Sequence, residues 1–570
     1  MHCPQLVGKI CLISQLLSSF ANCFETYIVN LVIKISIMEE SLMRYSEKLK
    51  KELLKTSHKS AKIFLYKHGY NSSSFMMPDY YQVSGFETMK LSEIDWKKRK
   101  PITKTLDIFT PKGDLSWRRF SFFHPFMFWH IVKLLTEEEN WNFLKKHLCQ
   151  QTKIACYSIP IFKLERNQTI QGESIESWLQ MAEKDLLKDC ADFNCLALTD
   201  IQNFYSSIYT HSISWTLHSK KSARSDRFKY ELLGTKLDRL FQNSRDTQTN
   251  GIPTGSLISD IVAEIILVHV DCLLSKWLKK EKLDSKIIIS RFRDDYRILS
   301  KDRSDANRVL KSLTRILCEE FDLILNENKT YVYDDIIGNA FRPWIIEIKH
   351  SYLIGKLFNQ DQLKRLSFNF IKDVLVETYR IQKKYPQGRP AISILSKLSE
   401  KVIKSNGKFK INDSDISELG SILRKIILTR EETTPYIIFM IDTLLTKSKL
   451  RIKNQFIKEM IRITKNQPDA EYQLIWLYRL CLSQAPILCK LFEDVLVEDY
   501  YLLKLVYEYK KFQKNRNYYD IFKIVDGISS DDRNELAKFS FINIKRLNEV
   551  KNKKIEAKEI SPFQYKIIQH

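Results

Sequence analysis

The sequence predicts an α+β fold, with strands and helices mixed over residues 101–350 and an all-helical region over residues 351–570. Three observations predict it. Short apolar runs that end on acidic turns, at Cys195 to Asp200 and Ile287 to Leu299 (IIISRFRDDYRIL), read as strands. A Gly-rich loop, Asn250 to Gly255, opens a long helix with an apolar face. From Tyr352 onward glycine is sparse and helical runs recur.

Composition bounds the function. At 570 residues the chain exceeds one hydrophobic core, so about two or three domains are expected. Hydrophobic residues at 44% and aromatic residues at 12% suffice for large cores and exclude a disordered chain. Lys and Arg number 91 against 68 Asp and Glu, and the net charge of +23 favours a polyanionic partner such as nucleic acid. The 11 cysteines form no C-x-x-C pair, which argues against a zinc site and a disulfide framework and for reduced thiols in a cytoplasmic protein.

Residues 1–37 are an apolar leader broken by Lys9, Glu25 and Lys34, so no uncharged run reaches the roughly 20 residues of a spanning helix. Met38 is read as the first translated residue, a point that the intact mass of the natively expressed protein decides; a signal peptide or membrane anchor is the alternative. Residues 38–100 form an N-terminal helical region that ends in the basic cluster Lys97-Lys98-Arg99-Lys100. Pro111, Gly113 and Asp114 then turn the chain between two extended pieces from which Lys112, Arg118 and Arg119 project. Such cations can grip phosphates, and a solvated strand face accounts for the same pattern.

Phe126 to Leu148 reads as a helix pair and Ser174 to Cys190 as a further helix, while His124, His130 and His147 read as structural. The strand from Cys195 ends on Asp200, with Tyr205 beside it; an Asp there can reach into a cleft or cap a turn. Around Pro253 the backbone lies bare for close approach by a ligand, and Ser256 is placed to cap a helix whose apolar face is Leu257, Ile261, Ile265, Val268 and Cys272. No Lys follows the second Gly, which excludes a Walker-type site. Ile287 to Leu299 reads as a hairpin with Asp294-Asp295 at its tip, either a solvated turn or a pair that needs a cation between its charges. A helix from Asp305 to Glu320, a strand from Phe321 to Leu325, a turn and Lys329 at the start of another strand complete the series.

This order of parts resembles the fingers and palm of a reverse transcriptase, over roughly Pro101 to Tyr333. The phrases TDIQNFYSSIYTHSISWTLH, QTNGIPTGSLISDIVAEIIL and RFRDDYRIL are similar to the abortive-infection and defence-associated reverse transcriptases of bacteria, including the abortive-infection K type. The resemblance implies transfer of a nucleotidyl group from a deoxynucleoside triphosphate to a hydroxyl, served by two divalent cations about 4 Å apart. It sets Asp200 and Asp294 as ligands of two Mg2+ ions, Asp295 in support and the Ile201 carbonyl as a further oxygen ligand, a donor set that suits magnesium. By the same likeness Lys112, Arg118 and Arg119 grip the triphosphate, and Tyr205 lies under the sugar and selects deoxynucleotides. Asn250, Gly251 and Gly255 belong to the nucleotide pocket, and Lys329 protonates the leaving pyrophosphate. The implied partners are deoxynucleoside triphosphates and DNA or RNA, with a second copy or a defence subunit and no membrane.

Two departures stand out. Phe292-Arg293 precedes the carboxylates where relatives carry Tyr and a small or apolar residue, and Arg293 either holds a strand phosphate, pairs with an acidic residue or hinders an ordinary primer. Asn250 replaces the commoner Gln.

Over residues 351–570 helices are expected at Leu363 to Lys384, Asp415 to Thr429, Tyr436 to Lys447, Phe456 to Lys465, Tyr472 to Leu482 and Ile487 to Phe512, stacked as an α-helical repeat domain. The interleaved Tyr500, Tyr501, Tyr507, Tyr509, Lys510, Lys511, Tyr518 and Tyr519 read as a single-strand surface or as core plus solvated face. Relatives that start synthesis on a protein hydroxyl, some without a template, make a tyrosine primer a further expectation. A catalytically idle nucleic-acid-binding or assembly subunit is the alternative function.

Overall fold

A computed structural model describes Met43 and residues 45–71, 76–98, 100–113, 116–165, 168–171, 192–339, 343–358, 367–386, 388–404, 413–446, 448–495, 500–509, 522, 524–556 and 559–560. The leader 1–37, the start at Met38 and the helix expected at Ser174 to Cys190 lie outside them.

Helix α1 (His58–His68) precedes a hairpin of β1 (Leu106–Gly113) and β2 (Ser116–Phe122), paired from Leu106 opposite Phe122 to Gly113 opposite Ser116. The expected helix pair follows as α2 (Pro125–Leu135) and α3 (Glu138–Leu148). Pro125 fits the first turn of α2, where no N–H partner is needed, and His124 caps it: the Phe126 N–H donates to His124 Nδ1 at 3.1 Å.

Five strands make the central sheet: β3 (Ile154–Cys156), β4 (Cys195–Asp200), β5 (Ile287–Phe292), β6 (Asp295–Ser300) and β7 (Tyr331–Tyr333), in the spatial order β7-β4-β6-β5-β3. Only β3 runs parallel to its neighbour, β5. The apolar runs in β4 and β5 belong here because both strands have sheet neighbours on each edge and are buried along nearly their whole length, and the branched Ile side chains of β5 pack well on a pleated surface.

Helices α4 (His211–Ser225), α5 (Leu233–Asn243), α6 (Leu257–Lys280) and α7 (Arg303–Phe321) complete this part. Helix α6 packs on α3, α4 and α7 and is buried nearly all round, not along one stripe. Ser256 sits at its N-cap position without a side-chain cap bond, since its Oγ donates to the Gly69 carbonyl at 2.8 Å instead. The strand expected at Phe321 to Leu325 is replaced by a helix end at Phe321, a left-handed Asp322 (φ 58°) and one bridge from Leu325 to Ile201.

The helical region stacks α8 (Phe368–Lys384), α9 (Pro390–Lys404), α10 (Asp413–Thr429), α11 (Thr434–Leu445), α12 (Leu450–Thr464) and α13 (Glu471–Gln484). Contacts join α8 to α9 and α10, α9 to α11, α10 to α11 and α12, and α13 to α11 and α12, the neighbour pattern of a helical-repeat array. Helix α9 escaped the sequence reading, and the run from Ile487 divides into a 3-10 stretch at Pro486–Val495 and a helix at Tyr501–Tyr507. The chain then returns to its beginning: Ile524–Asp526 pairs with Ile102–Thr103, and Ser540 bridges Ser84. Among the described residues no helix is long and apolar enough to cross a membrane.

Candidate active site

Strand register assembles the carboxylates. Asp200, the last residue of β4, lies opposite Asp295, the first residue of β6. The hairpin closes from Phe292 to Asp295, so its tip is Arg293-Asp294 and not Asp294-Asp295. The Ile201 N–H donates to the Asp294 carbonyl at 3.2 Å, tying the end of β4 to that tip. On the other side Asn326 N–H donates to the Asp200 carbonyl at 2.8 Å and Gln202 N–H to the Ile324 carbonyl at 2.8 Å. A 3-10 turn, Glu327–Lys329, then swings Lys329 Nζ to 2.7 Å from Asp200 Oδ2. Lys329 therefore sits on a turn before β7 and not at the strand start that was expected.

The electrostatics are those of crowded carboxylates. Burial raises the pKa of Asp294, with the Asp200 charge adding to it and Arg293 and Lys329 opposing. Asp295 is pushed up to about 7 by burial and by the charges of Asp294 and Asp200. Asp200 Oδ1 is buried without a hydrogen-bond partner.

The Gly-rich loop packs against this corner. Ile252 N–H donates to the Tyr205 carbonyl at 2.8 Å, Gly251 N–H to the Ile208 carbonyl at 2.7 Å and Thr210 N–H to the Thr249 carbonyl at 2.8 Å. Arg245 Nη1 donates to the carbonyl of the exposed Asn250 at 2.6 Å. Gly251 has φ 80°, and a Cβ there would stand 2.8 Å from both Arg245 Nη1 and the Ser206 carbonyl oxygen, so this position needs glycine. Gly255 lies under Phe120 of β2, and the Thr254 carbonyl accepts from Ser121 N–H at 2.8 Å, which seats the basic hairpin on the loop.

The two arginines of that hairpin are each paired with an acid. Arg118 Nη1 donates to Glu432 Oε1 of the helical region at 2.8 Å, and Arg430 and Arg389 converge on the same carboxylate. Burial would raise the Glu432 pKa, but the three guanidiniums outweigh it and hold the carboxyl at about 2. Arg119 Nη1 lies 3.8 Å from Asp107 Oδ2, and the Lys112 side chain lies outside the described atoms.

Asp260, Glu264, Asp271 and Arg291 were not singled out from the sequence. Arg293 Nη2 lies 2.7 Å from Asp260 Oδ2 on α6, and Tyr205 Oη donates to Asp260 Oδ1 at 2.6 Å, so Arg293 pairs with an acid. Arg291, wholly buried in β5, bonds Glu264 at 2.6 Å and Asp271 at 2.7 Å and donates to the Arg293 carbonyl at 3.1 Å, bracing the tip from below. Asp260, Glu264 and Asp271 fall at i, i+4 and i+11 on α6, one helical face; three acids on one face of an otherwise apolar helix were the available signal. The tyrosine-rich stretch reads as core: Tyr500, Tyr501, Tyr507 and Tyr509 pack on buried residues, and Tyr507 Oη bonds Glu493; Lys510, Lys511, Tyr518 and Tyr519 lie outside the described residues.

The donor chemistry fits a hard divalent cation. An orphaned carboxylate oxygen on Asp200 and two carboxyls raised by burial and then by neighbouring carboxylate charge are what a missing positive charge leaves. Among the described residues no three His, Cys, Asp or Glu side chains are gathered to hold a metal ion. Two carboxylates with a main-chain carbonyl would fall below that count, and Lys329 occupies one Asp200 oxygen.

Residues 142–370 match the family model described as reverse transcriptase (RNA-dependent DNA polymerase). That span holds Asp200, Tyr205, Gly251, Asp294, Asp295 and Lys329 and leaves out the β1–β2 hairpin. No curated protein matches the chain. Among solved structures, telomerase from Candida albicans with a TWJ fragment of telomeric RNA is similar at 11% identity and TM-score 0.27, covering 66% of this chain and 66% of that one. Apo telomerase from Candida tropicalis is similar at 11% identity and TM-score 0.29, covering 68% of this chain and 70% of that one. The same enzyme with a TWJ fragment of telomeric RNA gives 13% identity and TM-score 0.29, with 67% and 65% covered. Residues 142–370, with the central sheet and its carboxylate corner, are therefore a reverse transcriptase domain, a nucleotidyltransferase of the RNA-directed DNA polymerase type.

Proposed function

We propose that the chain is a magnesium-dependent DNA polymerase that adds deoxynucleotides to a strand end or to a protein hydroxyl, with or without a template, in bacterial antiphage defence. The observation that carries the chemistry is the register that sets Asp200 at the end of β4 opposite Asp295 of β6 and ties Ile201 to the tip residue Asp294, with one Asp200 oxygen left without a partner. The defence role rests on the likeness of the three sequence phrases around these residues and on the helical stack that follows the domain. The seven described thiols, all free, accord with a cytoplasmic setting.

Asp200, Asp294 and the Ile201 carbonyl would hold the metal, with Asp295 in support. When bound, magnesium activates the attacking oxygen and neutralises the pyrophosphate that leaves. Lys329 gives up its bond to Asp200 and can donate a proton to that leaving group. Tyr205 stands under the sugar and sets its class. Asn250, Gly251 and Gly255 provide a wall of bare backbone beside the base. Lys112, Arg118 and Arg119 are the candidate triphosphate grip, and Arg118 has to exchange Glu432 for phosphate to serve it.

With magnesium and labelled deoxynucleotides the purified protein should build DNA, and Asp294→Ala should abolish both this synthesis and protection of cells from phage. Equal incorporation by the two proteins would refute the assignment. A second reading, of an idle nucleic-acid-binding or assembly subunit, is favoured by one contact: Lys329 neutralises Asp200 in place of a metal. It predicts no incorporation by the wild-type chain and full protection by Asp294→Ala.

A further inference from the structure

The ring read as lying under the sugar is pinned at both ends. At its backbone, Ile252 N–H of the Gly-rich loop donates to the Tyr205 carbonyl at 2.8 Å; at its tip, the hydroxyl donates to Asp260 Oδ1 at 2.6 Å. Burial pushes the hydroxyl pKa well above the ordinary tyrosine range, with Arg293 opposing and Asp260 adding, so the group remains a donor. Asp260 is in turn held through its other oxygen by Arg293 Nη2 at 2.7 Å.

Arg293 is itself tightly placed. It takes a left-handed conformation, φ 53°, which few non-glycine residues adopt without support. The support is present: its N–H donates to Ser158 Oγ at 2.8 Å, and its carbonyl accepts from the buried Arg291 at 3.1 Å. One turn residue thus aims its guanidinium at Asp260 while the next residue, Asp294, carries a candidate metal ligand.

We propose that Asp260 and Arg293 are positioning residues for sugar selection: the Asp260 carboxylate, anchored by Arg293, fixes the Tyr205 ring against the place of a 2′-hydroxyl. This rests on the reading of Tyr205 as the group under the sugar. Discrimination of this kind turns on a single added oxygen, so a ring free to move by about 1 Å would lose much of it. A hydrogen bond to an ionised carboxylate is among the stronger means of removing that freedom. It also gives Arg293 a purpose beside the carboxylates, since it acts on the tyrosine and not on a primer.

The test is single-nucleotide addition by the full chain with magnesium, read as the ratio of kcat/KM for deoxynucleotide over ribonucleotide. Asp260→Ala and Arg293→Gln should each lower the ratio about tenfold, whereas Arg293→Lys, which keeps the cation, should hold it within about twofold. Tyr205→Phe cuts the same bond from the other side. The double variant Tyr205→Phe/Asp260→Ala should therefore be no less selective than Asp260→Ala alone, a non-additivity that general loosening would not produce. If Asp260→Ala fails to fold, Arg293→Gln and Tyr205→Phe carry the same comparison. If the wild-type chain adds no nucleotide, equilibrium binding of deoxy- and ribonucleoside triphosphates by these variants reads the same ratio. An unchanged ratio in Asp260→Ala beside a collapsed one in Tyr205→Ala overturns the proposal and leaves the gate standing. An unchanged ratio in Tyr205→Ala removes the gate and the proposal together.

Discussion

Arg291 shows how much of the site depends on a residue that touches no substrate. Its side chain is wholly buried, and it neutralises Glu264 and Asp271, both buried on α6. An isolated buried charge is costly, so the three persist only as a set. Arg291→Met should leave two carboxylates without their cation and cost about 3–5 kcal/mol in urea unfolding. Adding Glu264→Gln and Asp271→Asn should recover much of that loss, and a triple variant no more stable than the single one would contradict the account. Asp200, Asp294 and Asp295 were legible in the sequence because a strand that ends on an acid and adjacent acids between two apolar runs are local patterns, although the tip itself is Arg293-Asp294. Arg291 and Asp260 were not, because their partners lie 20 or more positions away and only the packing of α6 under the sheet brings them together.

Elements were legible where their signals are local, and the helix pair expected over Phe126 to Leu148 came out as α2 and α3. Helix α9 was missed although Pro386 and Gly388 mark the turn before it and Pro390 opens it, signals that are local and were available. Helix α2 also carries a pH dependence. His124 and His130 are buried, and burial lowers both pKa values to about 3. Both rings are neutral in the folded chain and take up protons on unfolding once the pH is below about 6.5. The unfolded state then binds more protons, so stability is complete above that pH and falls as the pH drops towards 3. At pH 5 the loss is about 2 kcal/mol for each ring. His124→Asn, which keeps a side-chain acceptor for the Phe126 N–H, combined with His130→Leu should flatten the slope between pH 7 and pH 5. Parallel slopes for wild type and double variant in urea titrations at the two values would exclude the histidines as its source.

At the scale of the molecule, the helical region is joined to the earlier part of the chain by contacts that sequence distance hides. Arg118 meets Glu432 across 314 positions, and residues 522–541 return to Tyr70, Ile102–Thr103 and Phe122. Phe541 stacks on Phe522 and meets Tyr70, Phe122 and Phe539 edge-on, and the short strand Ile524–Asp526 pairs with Ile102–Thr103 just before the β1–β2 hairpin. A chain closed on itself in this way spreads any local loss across both regions, because the aromatic cluster belongs to neither alone. Phe541→Ala removes a ring that is 2% exposed and should cost about 3–5 kcal/mol. The cost should appear as a downward shift of one shared melting transition, with faster amide exchange at Ile102 and Thr103 as well as at Ile524. Two separate transitions with only the later one moved would mean that the helical stack and the domain it follows fold as independent units.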